Sequence, residues 1–245
     1  MVEYKYGRIL ELENRKPSKP IAKAGIPLAL EFYDQMPFFH TLLTELGFEV
    51  IFSEESTRDT YYKGQQTIPS DTVCYPAKLC HGHIQSLLDK GVDFIFYPCM
   101  SYNVDEVSRI IIITACCSLL PRFKANIPEL NSSNFIAPYL DINIKKHAAK
   151  AVAASLSAYG ITAKQVASVL NKAYSEQVRH RRHIEKKAQE IISQARSRGQ
   201  KIIVLAGRPY HIDPEINHGI HKLICLLLCG NYGGQRFRTG RLSAA

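Results

Sequence analysis

Ser70 to Cys99 reads SDTVCYPAKLCHGHIQSLLDKGVDFIFYPC, a stretch with a helix, a strand and a cysteine beside each. Proline is favoured in the first turn of a helix, where its missing N–H costs nothing, so Pro76 predicts a helix opening just after Cys74. Leu79, Ile84, Leu87 and Leu88 are its apolar positions, and Lys90-Gly91 gives a basic last turn followed by a stop. Val92 to Tyr97 is an apolar run of strand length, broken by Pro98 before Cys99. Cys74 is thus expected at a helix N-terminus and Cys99 at the carboxyl end of a strand. In an open α/β sheet both ends face the crevice where ligands bind.

That placement suits a soft metal. A helix N-terminus lowers a thiol's pKa, and the thiolate is the form that ligates a metal or attacks an electrophile. A thiolate-held iron–sulfur cluster is anionic, which exposed N–H groups and the helix dipole favour. The spacing argues the other way, because two cysteines a βα unit apart match no compact zinc or ferredoxin signature. On spacing alone, packing in a core is the better account of both thiols.

The residue strings add a resemblance. IPSDTVCYPAKLCHGHI (68–84), DKGVDFIFYPC (89–99), GIPLALEFYDQMPFFHTLLTELGFEV (25–50) and GRPYHIDPEINHGI (207–220) resemble a domain of the 2-hydroxyacyl-CoA dehydratase activator-related proteins, the CoA-enzyme activase-associated type. The resemblance covers most of Gly25 to Ile220. It implies an iron–sulfur cluster of the 4Fe-4S kind held by cysteines, with Cys74 and Cys99 as ligands. It also implies ATP-driven, low-potential electron transfer in an anaerobic cytoplasm, with an ATPase activator domain or subunit and a CoA-ester enzyme as partners. No GxxxxGK[ST] string occurs in the chain, so any nucleotide would belong to the partner.

Outward from the opening stretch, Ile26 to Phe32 is an expected first strand, Pro37 to Leu46 a helix ended by Gly47, and Phe48 to Phe52 a second strand. With the Cys74 helix and Val92–Tyr97 this makes βαβαβ, a Rossmann-like three-layer α/β domain with a parallel sheet over residues 24–144. Residues 1–23 are polar and basic with prolines at 17 and 20, a linker or lead-in. Residues 145–199 form a helical segment, with apolar positions on one face of Thr162–Arg198 and an RHRRH run (179–183) read as a solvated face. Residues 200–245 open a second, incomplete α/β domain with an irregular tail. Lys201 to Ala206 is its strand, and Asp213-Pro214-Glu215 its helix start. Arg208 and His211, at that strand's carboxyl end, are candidates for binding an anionic group or contacting the cluster.

Other features carry narrower expectations. Ser53 to Thr72 is a long polar loop, most simply a surface excursion and alternatively a lid over the cysteine site. His81 and His83 are two apart on a helix and cannot face one metal together, and Cys80 falls on the apolar side. Val107 to Phe123 reads as a buried strand but lacks the Asn-Cys-Pro element that related domains carry there. Synonymous codons read one base earlier over Arg109–Ala115 spell Asp-Asn-His-Tyr-Asn-Cys. The same codons read one base later over Ala115–Pro121 spell Pro-Val-Val-Ala-Tyr-Tyr-Pro. A similar shift near Cys229 spells a strand and turn, so frame changes at 107–122 and 221–245 are an expectation of the sequence.

Composition bounds the rest. The chain has 245 residues, 46% of them hydrophobic, enough for one sizeable core or one domain and part of another. No apolar run approaches the roughly 18 residues of a membrane span, and no signal-peptide pattern opens it. Seven cysteines at irregular spacing point to a reducing cytoplasm. The net charge of +9 is not set on any nucleic-acid-binding motif. Three readings follow: an iron–sulfur activation component, a non-catalytic α/β module that binds a CoA ester, and a frame-shifted, non-functional fragment.

Overall fold

The structure, a computed structural model, describes residues 1–102 and 115–230. In chain order the elements are α1 (Val2–Leu10), β1 (Lys23–Ile26), α2 (Phe32–Glu45), β2 (Glu49–Phe52), α3 (Arg58–Gly64), α4 (Tyr75–Asp89), β3 (Phe94–Phe96) and β4 (Cys99–Tyr102). Then come α5 (Ala115–Asn126), β5 (Phe135–Ile136), β6 (Tyr139–Asp141), α6 (Lys145–Ser155), α7 (Ala163–Ser197), a 3₁₀ turn Pro209–Ile212, α8 (Pro214–Asn217) and α9 (Ile220–Gly230). A four-stranded parallel sheet runs in the order β2-β1-β3-β5, the Rossmann-like α/β core expected from the sequence.

Pro27 displaces the expected first strand. β1 is an interior strand and ends at Ile26, because a proline cannot donate to a ladder with neighbours on both sides. The residues after it form the turn into α2, where Leu30 holds a left-handed φ of 52°. The α2 helix starts five residues before Pro37 and keeps that proline inside it.

Pro98 interrupts a strand without ending the pairing. Tyr97 N–H donates to the Ile136 carbonyl at 2.9 Å and Cys99 N–H to the Pro138 carbonyl at 2.8 Å, so β4–β6 continues β3–β5 past two prolines. Donors alternate sides along a strand, and the one Pro98 lacks would face β1, which has already left the ladder at Pro27.

The expected loop at 53–72 holds helix α3. Thr57 caps it, its hydroxyl and that of Thr60 satisfying each other's backbone N–H groups in a capping box. α3 lies directly on α4: a Cβ on Gly82 would stand 1.7 Å from the Thr60 carbonyl oxygen, and one on Gly64 would stand 2.3 Å from the Gly82 nitrogen. Two glycines thus permit backbone-to-backbone approach.

α4 matches its signals, with Pro76 in the first turn and Gly91 just past the end at a φ of 63°. The described part of Val107–Phe123 is helical rather than extended: Leu119 and Phe123 of α5 are buried, Phe123 edge-on to Tyr97 and His81. Residues 107–114, the tail from 231, and the side chains of Cys116, Cys117 and Cys229 lie outside the described residues, as do most of the expected frame changes. On α7 the buried positions Val166, Leu170, Ala173, Gln177 and His180 make one seam, while Ile191 on the distal half is exposed.

The strand expected at 201–206 is absent. Residues 201–208 have no regular structure, and Ile202, Ile203, Val204 and Leu205 are 42–84% exposed. A β-prone run becomes a strand only beside an edge that accepts its backbone, and no described strand pairs with it. Pro209–Asn217 instead returns to the first sheet and packs on α2 and α1.

Candidate functional site

Cys74 stands where α4 begins. Its backbone is extended, with φ −63° and ψ 151°, and its carbonyl receives the N–H groups of Ala77 and Lys78, each at 3.0 Å, which makes it the N-cap. Its side chain caps nothing and is exposed. Cys99, just past the carboxyl end of β3, is fully buried. Cys80 is buried in the core, as its position on α4 predicts.

The returning Pro209–Asn217 segment builds a rim around Cys74. The Tyr75 hydroxyl donates to Glu215 Oε1 at 2.7 Å, and the Tyr75 ring stacks on His218 with centroids 6.2 Å apart. Burial pushes the Tyr210 hydroxyl up in pKa, and the neighbouring Cys74 side chain pushes it further in the same direction. Burial likewise raises the Glu31 carboxyl, with Arg208 partly offsetting it. Arg208 caps the 3₁₀ turn, and its backbone N–H donates to His211 Nδ1 at 2.8 Å. Arg208 and His211 are therefore together, on a turn that follows an irregular segment and not a strand.

The segment is held by a buried polar chain. Asp213 is fully buried. One carboxylate oxygen caps α8, receiving Glu215 N–H at 2.9 Å and Ile216 N–H at 3.0 Å. The other accepts the hydroxyls of Tyr33 and Ser56. Ser56 Oγ also meets His83 Nε2 at 2.9 Å, and His83 Nδ1 meets Ser53 Oγ at 2.8 Å, which accepts the Leu28 N–H at 2.9 Å. With Asp213 ionised and so only accepting, the chain runs Leu28 N–H to Ser53, Ser53 O–H to His83 Nδ1, His83 Nε2–H to Ser56, and Ser56 O–H to Asp213. Burial holds His83 neutral, its pKa lowered to about 3.

His81 and His83 go to separate surroundings. His81 Nδ1 meets Thr67 Oγ1 at 2.8 Å, and its ring lies edge-on to Phe123 at 4.8 Å. Among the described residues no group of three or more His, Cys, Asp or Glu side chains gathers as a metal would require. Nor is any described helix long and apolar enough to cross a membrane.

Sequence reasoning missed Tyr210 beside Cys74 and Glu215 and His218 on the adjacent Tyr75, and missed Tyr33 and Ser56 as partners of Asp213, with His83 behind Ser56. The available signal was that CYPAK and RPYHIDPEIN are the two most distinctive strings in the chain, and the fold sets them side by side.

No curated protein and no solved structure matches the chain. A family model described as the CoA enzyme activase uncharacterised domain does match, over residues 23–228, which takes in both distinctive strings and the whole described sheet. The chain belongs to that CoA enzyme activase domain family.

Proposed function

We propose that the chain is an activation component for a CoA-ester enzyme, binding an iron–sulfur cluster through Cys74 and Cys99 and passing low-potential electrons from an ATPase partner. The observation that carries the reading is the exposed thiol of Cys74, the N-cap residue of α4, with Cys99 on the strand pair that leaves the carboxyl edge. Family membership supports the activase setting. Thiolate donors suit iron, but two fall short of the four that a 4Fe-4S cluster takes, so this donor set fits in part. The cluster, when bound, would supply one-electron chemistry. The chain's own residues would do the rest: Cys99 from a dry interior, Cys74 from the surface where a partner can approach, and Arg208 and His211 beside Tyr210 as contacts for an anionic group.

The test is anaerobic reconstitution of the full chain with iron and sulfide. Stoichiometric iron and sulfide with broad visible absorption, lost in both Cys74→Ala and Cys99→Ala, is the expected result. The burial of Cys99 favours a second reading, a metal-free α/β module that binds a CoA ester. Reconstitution that yields no stoichiometric iron, with Cys74→Ala folding as before, would leave that reading standing and end the first. Sensitivity to a thiol reagent supplies a further check: Cys74 should react in the native chain, Cys80 and Cys99 only after unfolding.

A further inference from the structure

Ahead of the family-matched span, residues 2–16 fold back onto the domain as an arm. Its root is fixed to the sheet and to α7. Leu12 is buried, Glu13 Oε1 accepts the Phe52 N–H of β2 at 3.0 Å, Arg15 pairs with Glu176 at 2.9 Å, and Lys16 pairs with Glu49 at 2.8 Å. Residues 15–22, which lead on into β1, form no helix or strand. The helix at the tip, α1, can therefore lift on its root without disturbing the sheet.

α1 rests on the segment that borders Cys74. It packs on Pro209–Ile212 and on α2, where the Tyr6 ring lies 6.1 Å from the ring of Tyr33, the residue whose hydroxyl holds Asp213. Glu3 reaches Lys222 of α9 at 3.2 Å, and Arg8 meets His183 Nδ1 of α7 at 3.1 Å. This contact is closely balanced. Tyr6 and Ile9 are its buried side chains. The Tyr6 hydroxyl and Arg8 Nε, however, are buried with no hydrogen-bond partner, Glu55 and Tyr33 lying near that hydroxyl without closing a bond to it. Each unpaired group regains water when α1 lifts, which offsets part of the apolar gain. The Glu3 ion pair is exposed and adds little. Nine residues are too few to keep a helix in water without packing, so a lifted α1 unfolds.

We propose that α1 is a latch: docked, it clamps Pro209–Asn217 against Tyr33 and closes the rim of Cys74, and lifted, it frees that segment, so that the two open together. The device is independent of the reading given to the cysteines.

Amide hydrogen exchange of the full chain, read by mass spectrometry, tests the coupling. In the parent, residues 2–10 and 209–217 are expected to exchange at least about a hundredfold faster than α4, through local opening. Ile9→Ala should speed both stretches at least about tenfold and leave α4 and β1 as they were. Coupling between two sites is reciprocal, so Asp213→Ala should speed α1 as well as its own segment. Val166→Ala, far along α7 from His183, should single out neither stretch. Residues 2–10 exchanging as slowly as α4, either variant loosening its own stretch alone, or Ile9→Ala speeding every element alike would overturn the latch.

Discussion

Gln177 on α7 mends the helical turn that Pro37 opens in α2. Its side-chain oxygen accepts the Phe38 N–H at 3.2 Å and its amide donates to the Asp34 carbonyl at 2.7 Å. In an unbroken helix those two groups would bond each other; next to a proline, whose ring crowds the preceding turn, they are prised apart. The amide therefore explains both how a proline sits inside α2 and why a glutamine lies buried on the α7 seam.

Gln177→Leu keeps the volume and removes both bonds, leaving a donor and an acceptor orphaned at a buried helix contact. A loss of about 2–3 kcal/mol in unfolding free energy is expected in urea titration. Gln177→Glu, which retains only the acceptor, should fall between. A Leu variant as stable as the parent would show that the two groups find other partners.

The α3–α4 contact makes a sharper prediction. Alanine at Gly82 would press a methyl into the Thr60 carbonyl, backbone that cannot rotate away. Gly82→Ala should cost about 2–3 kcal/mol or fail to fold. Gly7→Ala in α1 meets nothing within 4 Å and should instead gain up to about 1 kcal/mol from helix propensity. Equal effects at the two positions would contradict the close packing of these helices.

These cases mark where the sequence is readable. α4 is legible because its punctuation is local: Pro76 and Gly91 act through their own backbone angles. The parallel core is legible because β1, α2, β2, α4 and β3 follow one another with apolar runs of the right length. Placement failed where a distant neighbour decides. Pro27 is fatal to a strand only because β1 turns out to be interior. The run 201–206 has strand chemistry, but no described strand pairs with it. The Asp213 partners Ser56 and Tyr33 lie 157 and 180 positions away, so its cap role could be read and its buried network could not. Cys74 was placed by its own helix, whereas its rim of Tyr210, Glu215 and His218 depends on how the later segment docks.

Acid should loosen that docking. Burial lowers His83 to about 3 and His81 to about 4, so the folded chain keeps them neutral while the unfolded chain takes up protons near 6.5. Stability is then full above about 6.5 and falls as pH drops through the window down to the folded values. His83 alone costs about 2 kcal/mol at pH 5. Burial raises Asp213 and Glu31, which act the opposite way, stability falling as pH rises from the usual carboxylate value through the folded one. His40 and His180, also lowered to about 4, add to the histidine side. Urea midpoints at pH 7 and pH 5 should differ, with pH 5 lower; equal midpoints would refute the neutral buried imidazoles.

Removing Asp213 should release the segment outright. Asp213→Ala deletes the α8 cap and takes one partner each from the Tyr33 hydroxyl, which keeps the Leu28 carbonyl, and the Ser56 hydroxyl, which keeps His83, a cost of about 2–3 kcal/mol. If the segment rather than the sheet depends on this residue, limited proteolysis of the variant should add cuts between residues 199 and 219 to those seen in the parent, and none within residues 23–197. Cleavage spread evenly along the chain would instead make Asp213 part of the global core.

The exposed aliphatics at 202–205 have company on α9, where Ile220, Leu223, Leu226 and Leu227 are 45–61% exposed and fall on one stripe by their spacing. A β-prone run followed by a helix with a bare apolar face is a unit that hides its surface only against something else, and exposed apolar surface of this kind drives association. Concentration-dependent self-association is therefore expected in light scattering, at salt high enough to screen charge. Val204→Asp combined with Leu226→Asp should suppress it without moving the urea midpoint, because neither side chain belongs to the packed core. A parent chain that stays monomeric over a hundredfold range of concentration, about 2.7 kcal/mol of chemical potential, would mean these residues are tolerated in water as they stand.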